Sequence, residues 1–195
     1  CIRDRCCLWL YDELSRMEYA DETLVRVGAA GSYSRDDTRA LAGLGLRSDY
    51  VPLAYEDRDP LPPAQWGSSP EVTFAGARYP NREELLRGLV ERGVPVRAYG
   101  RDWSAHPVDR ARTWRVGAPD VPGAREVDLQ EAHRVMARST ATLNIHGSSV
   151  NDGFTMRTFE ACGAGALQLI DRDDVDAFYE PSTEVLVFHD VEEVV

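Results

Sequence analysis

The sequence predicts an α/β fold built on a parallel sheet with helices on both faces. Short apolar runs alternate with amphipathic segments along most of the chain. The apolar runs are continuous, as in strands covered on both sides, instead of alternating with polar residues. Glycines punctuate the pattern: Gly45 and Gly93 end helices, and Gly76 and Gly100 follow strands. Composition agrees. Of 195 residues, 43% are apolar and 28% charged, as in ordinary globular domains. The length fits one domain, or one domain and part of another.

Each element follows from local sequence. Leu8-Trp9-Leu10-Tyr11 reads as a short buried strand, with Asp12-Glu13 at its carboxyl end. Arg26 to Ser32 reads as a second strand entering a small-residue turn. Ser34 caps a helix through Leu44, which Gly45 stops. Tyr50 to Ala54 is a third extended piece. Pro60, Pro62, Pro63 and Pro70, with Gly67, Ser68 and Ser69, mark residues 60–70 as a linker. Residues 6–59 are then the tail of one domain and residues 71–195 a second.

Past the linker, Val72 to Ala75 is a strand. Asn81 caps a helix from Arg82 to Glu91, with Leu85, Leu86, Leu89 and Val90 on one face. Val94 to Tyr99 is the next strand, and Arg101 to Arg125 is irregular. Leu129 to Ala137 is a helix, and Ala141 to Ile145 is a strand that ends at His146-Gly147. Met156 to Cys162 is a helix, and Ala166 to Ile170 and Val185 to Phe188 are strands. Ligands of parallel sheets bind outside the carboxyl ends of the strands. The candidate site therefore lies among Gly76–Arg82, Gly100–Trp103, His146–Phe154 and Asp171 onward.

Charge and composition exclude several functions. Formal net charge is −11 and the pI about 4.8. Nucleic-acid binding domains usually carry a pI above ~9, so no nucleic-acid partner is expected. All 22 basic residues are arginine; there is no lysine. That removes the P-loop, Schiff-base and kinase-type lysine chemistries. Phosphate would be held by arginine, by backbone N–H groups or by a helix N-terminus. No apolar run approaches the ~18 residues of a transmembrane segment, and none is expected. The cysteines, Cys1, Cys6, Cys7 and Cys162, have neither zinc spacing nor a disulfide pattern, which suggests a reducing cytoplasm. Residues 1–5 resemble a translated sequencing adaptor. Asp190 to Val195 reads as a helix start with nothing after it, so the chain is expected to be a fragment.

The densest chemical signal is Asn151-Asp152-Gly153-Phe154-Thr155-Met156-Arg157-Thr158-Phe159-Glu160-Ala161-Cys162-Gly163-Ala164. A strand-end loop with Gly147 and Gly153 enters a helix carrying Glu160. A helix N-terminus beside glycine holds anions through free N–H groups and the dipole. An ionised carboxylate further along accepts hydrogen bonds from a ribose diol.

In ordered pieces from Val72 to the end, the sequence resembles the C-terminal nucleotide-sugar domain of group 1 glycosyltransferases of the GT-B fold. The matching pieces are Val72 to Gly76, Asn81 to Leu86, Ala98 to Trp103, Thr142 to His146, Arg157 to Ala164 and Glu184 to Phe188. The closest branch is the spore-maturation-protein-like one. The resemblance implies a GT-B-type Rossmann-like sheet. Residues 6–59 are then the tail of an acceptor-side domain, and residues 71–195 a truncated nucleotide-sugar-binding domain. The family has two acids separated by seven residues, a spacing met by Asp152 and Glu160. Glu160 matches the acid that binds the donor ribose. Asp152 stands where the family normally has Glu. Family members also hold the donor diphosphate with basic residues after the first strand of this domain, where Arg78 and Arg82 stand.

The resemblance thus implies transfer of a sugar from a nucleotide-diphosphate sugar, without a metal or other cofactor. The acceptor is open: a glycan, a protein or a lipid-linked glycan. Candidate catalytic residues are Asp152 and His146. Candidate donor-binding residues are Glu160, Arg78, Arg82, Gly76, Gly153, Phe154 and Arg157. The general base is expected outside this sequence, and transfer by these residues alone is expected to be poor. Each residue also has a plainer reading. Glu160 is an exposed helix carboxylate, Asp152 a turn residue or cap, Arg78 and Arg82 surface charges, Arg157 a partner of an acid such as Asp171, and His146 a structural histidine. A non-catalytic nucleotide- or partner-binding module is the alternative function.

Overall fold

The computed structural model describes residues 6–56, 62–113, 120–147 and 152–195. The expected scar at 1–5, residues 57–61 around the start of the expected linker, 114–119 of the irregular stretch and 148–151 of the strand-end loop lie outside the described residues. The chain forms two compact units, Cys1–Ala54 with Ser148–Met156, and Tyr55–Gly147 with Arg157–Val195. The division falls at Ala54/Tyr55, ahead of the proline-rich stretch. That stretch belongs to the second unit for a packing reason. The Trp66 ring sits where a Cβ on Gly165 would go, and the Gly67 N–H donates to the Ala137 carbonyl at 3.0 Å.

The first unit is a three-stranded parallel sheet in the order β1 (Leu8–Leu10), β2 (Ala29–Ser32), β3 (Arg47–Tyr50). Helix α1 (Asp21–Val25) precedes β2 and α2 (Arg35–Gly43) follows it. Leu10, Leu24, Ala30, Leu41 and Leu46 form its core. Ser34 caps α2, accepting the Asp37 N–H at 3.0 Å, and Gly45 turns the chain at φ +86°. The third strand is Arg-Ser-Asp-Tyr, Arg47–Tyr50, which meets the expected segment Tyr50 to Ala54 only at Tyr50. A polar edge strand carries no apolar run. α1 has five residues and buries only Leu24, too little to show helical periodicity.

The second unit is a six-stranded, wholly parallel sheet in the order β6-β5-β4-β7-β8-β9. These strands are β4 (Ser69–Ala75), β5 (Val96–Tyr99), β6 (Gly123–Ala124), β7 (Ser139–Asn144), β8 (Gln168–Ile170) and β9 (Val185–Val187). With β4 as first strand the spatial order is 3-2-1-4-5-6, the doubly wound order, and its switch point lies between β4 and β7. The helices are α3 (Pro80–Glu91), α4 (Pro107–Thr113), α5 (Leu129–Arg138) and α6 (Met156–Gly163). Phe74, Leu86, Leu89, Val96, Ala98, Trp103, Val121, Leu143, Ile145 and Phe188 are among the core residues. Ala137 of α5, Ala161 of α6 and Ala164 just after it cluster with Met136. No helix among the described residues is long and apolar enough to cross a membrane.

Three local expectations are corrected. Asn81 does not cap α3. The helix begins at Pro80, whose missing N–H suits the first turn, with Tyr79 as N-cap. The Asn81 amide instead donates to the His146 carbonyl at 3.0 Å. The irregular stretch contains α4 and β6. Cys7 and Cys162 are free thiols, but Cys6 is disulfide-bonded, where the cysteine pattern suggested no cross-link.

Candidate functional site

The carboxyl ends of the second unit's strands enclose a cavity of about 310 Å³. Its walls are Ala75-Gly76-Ala77 after β4, Tyr99-Gly100-Arg101 after β5, Glu126-Val127 after β6, Ala132 of α5 and Arg157 of α6. The volume lies at the lower end for small-molecule sites. Its position at the strand ends is where a doubly wound sheet binds ligands.

Glycine makes the cavity floor possible. Gly100 has φ +139°, and a Cβ there would come within 2.3 Å of the Gly76 carbonyl oxygen, so no side chain fits. Below, Trp103 is fully buried. Its indole N–H donates to the Gly76 carbonyl at 2.8 Å, and its ring meets Phe74 edge-on at 6.0 Å. Trp103 is a floor timber of the site, unable to stack on a ligand.

The arginines are tied down to different degrees. Arg82 donates from Nε to the Ile145 carbonyl at 2.9 Å and from Nη1 to the Ala77 carbonyl at 3.1 Å. It also lies over the Phe74 and Tyr79 rings. It thus straps the end of β7 to the loop after β4. Arg78 binds both carboxylate oxygens of Glu83, one at 2.9 Å. Arg157 reaches the Ala75 carbonyl at 3.1 Å from Nε and pairs through Nη1 with Glu160 Oε2. The expected acid for Arg157 was Asp171; its partner is Glu160, one helical turn along α6.

Glu160 is 2% exposed. One oxygen takes the Arg157 hydrogen bond, and Oε1 stands 3.7 Å from His133 Nε2, beyond hydrogen-bond distance. The His133 ring in turn packs against Tyr55 at 5.1 Å. A buried ionised carboxylate needs such partners. The plainer reading of Glu160 as an exposed helix carboxylate does not hold.

Asp171, after β8, takes the partner role at His146. It accepts the His146 backbone N–H at 2.8 Å and lies 2.7 Å from Nδ1. The His146 side chain is 5% exposed. This pair fixes the ring at the end of β7, beside the switch point.

Asp152, Gly153 and Phe154 belong to the first unit. Asp152 is a helix cap. Its carboxylate accepts the Arg35 and Asp36 N–H groups of α2 at 2.8 and 3.1 Å, and the Ser34 hydroxyl. The free N–H groups and dipole of α2 explain the preference for an acid there. The Gly153 N–H, expected to be open to an anion, donates to Glu13 Oε1 at 3.1 Å. A Cβ on Gly153 would come within 2.3 Å of the Tyr33 ring. Phe154 is buried. Nearby, Asp37 accepts the Leu14 N–H and the Ser32 hydroxyl, and burial pushes its carboxyl up. Replacing Asp152 with alanine is expected to cost about 1 kcal/mol of first-unit stability, as loss of a side-chain cap does, read as a lowered urea midpoint.

Sequence reasoning missed Glu126, Val127 and His133, and placed Asp171 at the strand ends without its partner His146. Glu126 and Val127 follow a two-residue strand that shows no pattern. His133 and Asp171 are brought to their partners only by the fold. Among the described residues, no group of three or more His, Cys, Asp or Glu could hold a metal ion.

The family described as glycosyl transferase-like matches residues 78–195. No curated protein matches the sequence. Among solved structures, the chain is similar to the DNA-modifying enzyme β-glucosyltransferase, solved with and without uridine diphosphoglucose. Identity there is 14% and the TM-score 0.58, over 96% of this chain and 60% of that one. It is similar to T4 phage BGT in complex with UDP-glucose, at 12% identity and TM-score 0.56, over 97% of this chain and 62% of that one. It is also similar to AviGT4, a glycosyltransferase of avilamycin A biosynthesis, at 20% identity and TM-score 0.50, over 85% of this chain and 52% of that one. The chain therefore spans 52–62% of the length of these proteins. At such identities the likeness establishes the fold alone: parallel α/β, as in GT-B glycosyltransferases.

Proposed function

We propose that this chain, which belongs to the glycosyl transferase-like family, supplies the donor-binding part of an enzyme that moves a sugar from a nucleotide-diphosphate sugar to an acceptor. The observation that carries this is the strand-end cavity of the second unit, with Arg157 in its wall and Glu160 paired to that arginine. In this reading the nucleoside enters the cavity. Glu160 accepts from the ribose diol through Oε1, which stands 3.7 Å from His133 Nε2, while Arg157 keeps the other oxygen. When the bond from the sugar to the diphosphate breaks, negative charge gathers on the leaving phosphate. Cationic donors placed there in advance lower the barrier.

Of the arginines, Arg157 and Arg101 face the cavity and are assigned to the donor. Arg78 and Arg82 are already bound by Glu83 and by backbone carbonyls, so we assign them to shaping the loop after β4. His146, oriented by Asp171, is the proposed polar group at the switch point. We infer metal-independent transfer, a hexosyltransferase of the spore-maturation-protein-like branch, and an acceptor that is a glycan, a protein or a lipid-linked glycan. The 195 residues are proposed to bind donor more readily than they turn it over.

A second reading, a nucleotide-binding module without transfer, is favoured by one observation. The Asp152 carboxylate and the Gly153 N–H are both engaged inside the first unit. Incubation with UDP-glucose and GDP-mannose, scored for release of nucleoside diphosphate, separates the two. Release that is lost in Glu160→Ala supports the enzyme. Tight nucleotide binding with no release from the chain or from any longer protein containing it establishes the module.

A further inference from the structure

Beside the cavity after β4 and β5 is a second hollow of about 360 Å³. Gly100, Arg101 and Glu126 line both. Arg101 and Glu126 are exposed. Among the described residues, neither side chain has a hydrogen bond or ion pair with another. Every other arginine at the strand ends described above is committed to a carboxylate or carbonyl. An uncommitted carboxylate and an uncommitted guanidinium thus flank one opening.

The backbone that carries them is braced. Arg125, next to Glu126, donates from Nε to Asp109 at 2.6 Å, and the Ser104 hydroxyl donates to the same oxygen at 2.7 Å. Asp102, next to Arg101, sits at φ +71°, a left-handed conformation uncommon outside glycine, asparagine and aspartate. The two loops are held and the two side chains left open.

We propose that Glu126 selects the base of the donor, and that the base is guanine. This rests on the donor-site reading given above. An ionised carboxylate offers only acceptors, two oxygens side by side. Guanine presents two adjacent donors to match, N1–H and the 2-amino group, with its O6 acceptor next in line for a guanidinium such as Arg101. Uracil offers one N–H set between two carbonyls, so a second carboxylate oxygen would meet a carbonyl oxygen. Adenine offers its amino group beside the N1 acceptor, with the same conflict. Only guanine satisfies both oxygens of Glu126 without opposing lone pairs.

The test is calorimetric titration of GDP, UDP and ADP into the full chain, its Glu126→Gln variant and its Glu160→Ala variant. Glu126→Gln keeps the shape but sets an amide N–H₂ against the guanine donors. GDP is expected to bind at least about tenfold tighter than UDP or ADP, the worth of one charged hydrogen bond. Glu126→Gln is expected to lose that preference or reverse it, because the amide oxygen and N–H₂ match uracil's N3–H and carbonyl while the N–H₂ opposes a guanine donor. Because Glu126 is exposed, the variant keeps its fold, checked by an unchanged thermal midpoint. UDP or ADP binding as tightly as GDP, or GDP binding unaffected by Glu126→Gln, overturns guanine selection. If that happens while Glu160→Ala still weakens every nucleotide, the donor site stands and only the base assignment falls. Absence of binding by all three nucleotides overturns both.

Discussion

Trp103→Ala is expected to lower the stability of the second unit by about 3–5 kcal/mol, the usual cost of truncating a buried tryptophan. The side chain is fully buried. Its ring meets Phe74 edge-on, and its backbone lies against β6, where a Cβ on Gly123 would come within 2.3 Å of the Trp103 carbonyl oxygen. Its N–H holds the Gly76 carbonyl, and Gly76 is where the cavity begins. Removing the indole therefore opens a void and leaves a strand-end carbonyl unpaired. Urea unfolding measures the loss. Trp103→Phe, which keeps most of the volume, should cost much less, with the unpaired carbonyl accounting for about 1 kcal/mol. A loss below about 1 kcal/mol in Trp103→Ala would show that the indole does not support this floor.

Glu160→Ala is expected to weaken nucleoside diphosphate binding tenfold or more, because a charged hydrogen-bond partner contributes on the order of 1.5–3 kcal/mol. The same substitution frees Arg157 from its ion pair. That pair spans three residues on α6 with the carboxylate buried, so some stability is lost as well. The two effects separate. The urea midpoint of Arg157→Met reads the pair's contribution to stability with Glu160 in place; its nucleotide affinity also loses the donor contact assigned to Arg157. If Glu160 serves the nucleoside, Glu160→Ala affects ribonucleotides more than 2′-deoxyribonucleotides, since only the former offer the full diol. Equal losses for both sugars would make Glu160 a structural anchor for Arg157 and nothing more.

Both residues show how the sequence and the fold divide the information. Most of the second unit's strands and helices could be read because they bury apolar runs of ordinary length. β4, α3, β5, α5 and β7 all lie within a few residues of their expected bounds. What escaped reading was either polar or short: the Arg-Ser-Asp-Tyr edge strand, five-residue α1, seven-residue α4 and two-residue β6. No periodicity exists in such pieces to detect. The candidate site follows the same division. Glu160, Arg157, Gly76 and His146 could be marked from motif and strand-end position. The pairings could not: His133 and Glu126 gave no signal, and Asp171, marked by its strand-end position, binds His146 and not Arg157. Asp152 shows the opposite limit. Seven residues separate it from Glu160, and its carboxylate caps α2 of the first unit while Glu160 belongs to the second. Spacing along a chain carries no information about which unit a loop joins.

The central claim is that the strand ends of the second unit hold a nucleoside diphosphate. Amide NMR of the isotopically labelled chain, titrated with GDP and UDP, tests it most directly. The account predicts shifts concentrated at Gly76, Ala77, Gly100, Arg101, Glu126, Val127 and Arg157, the residues around the cavity. Shifts confined to other surfaces, or none at millimolar nucleotide, would contradict it.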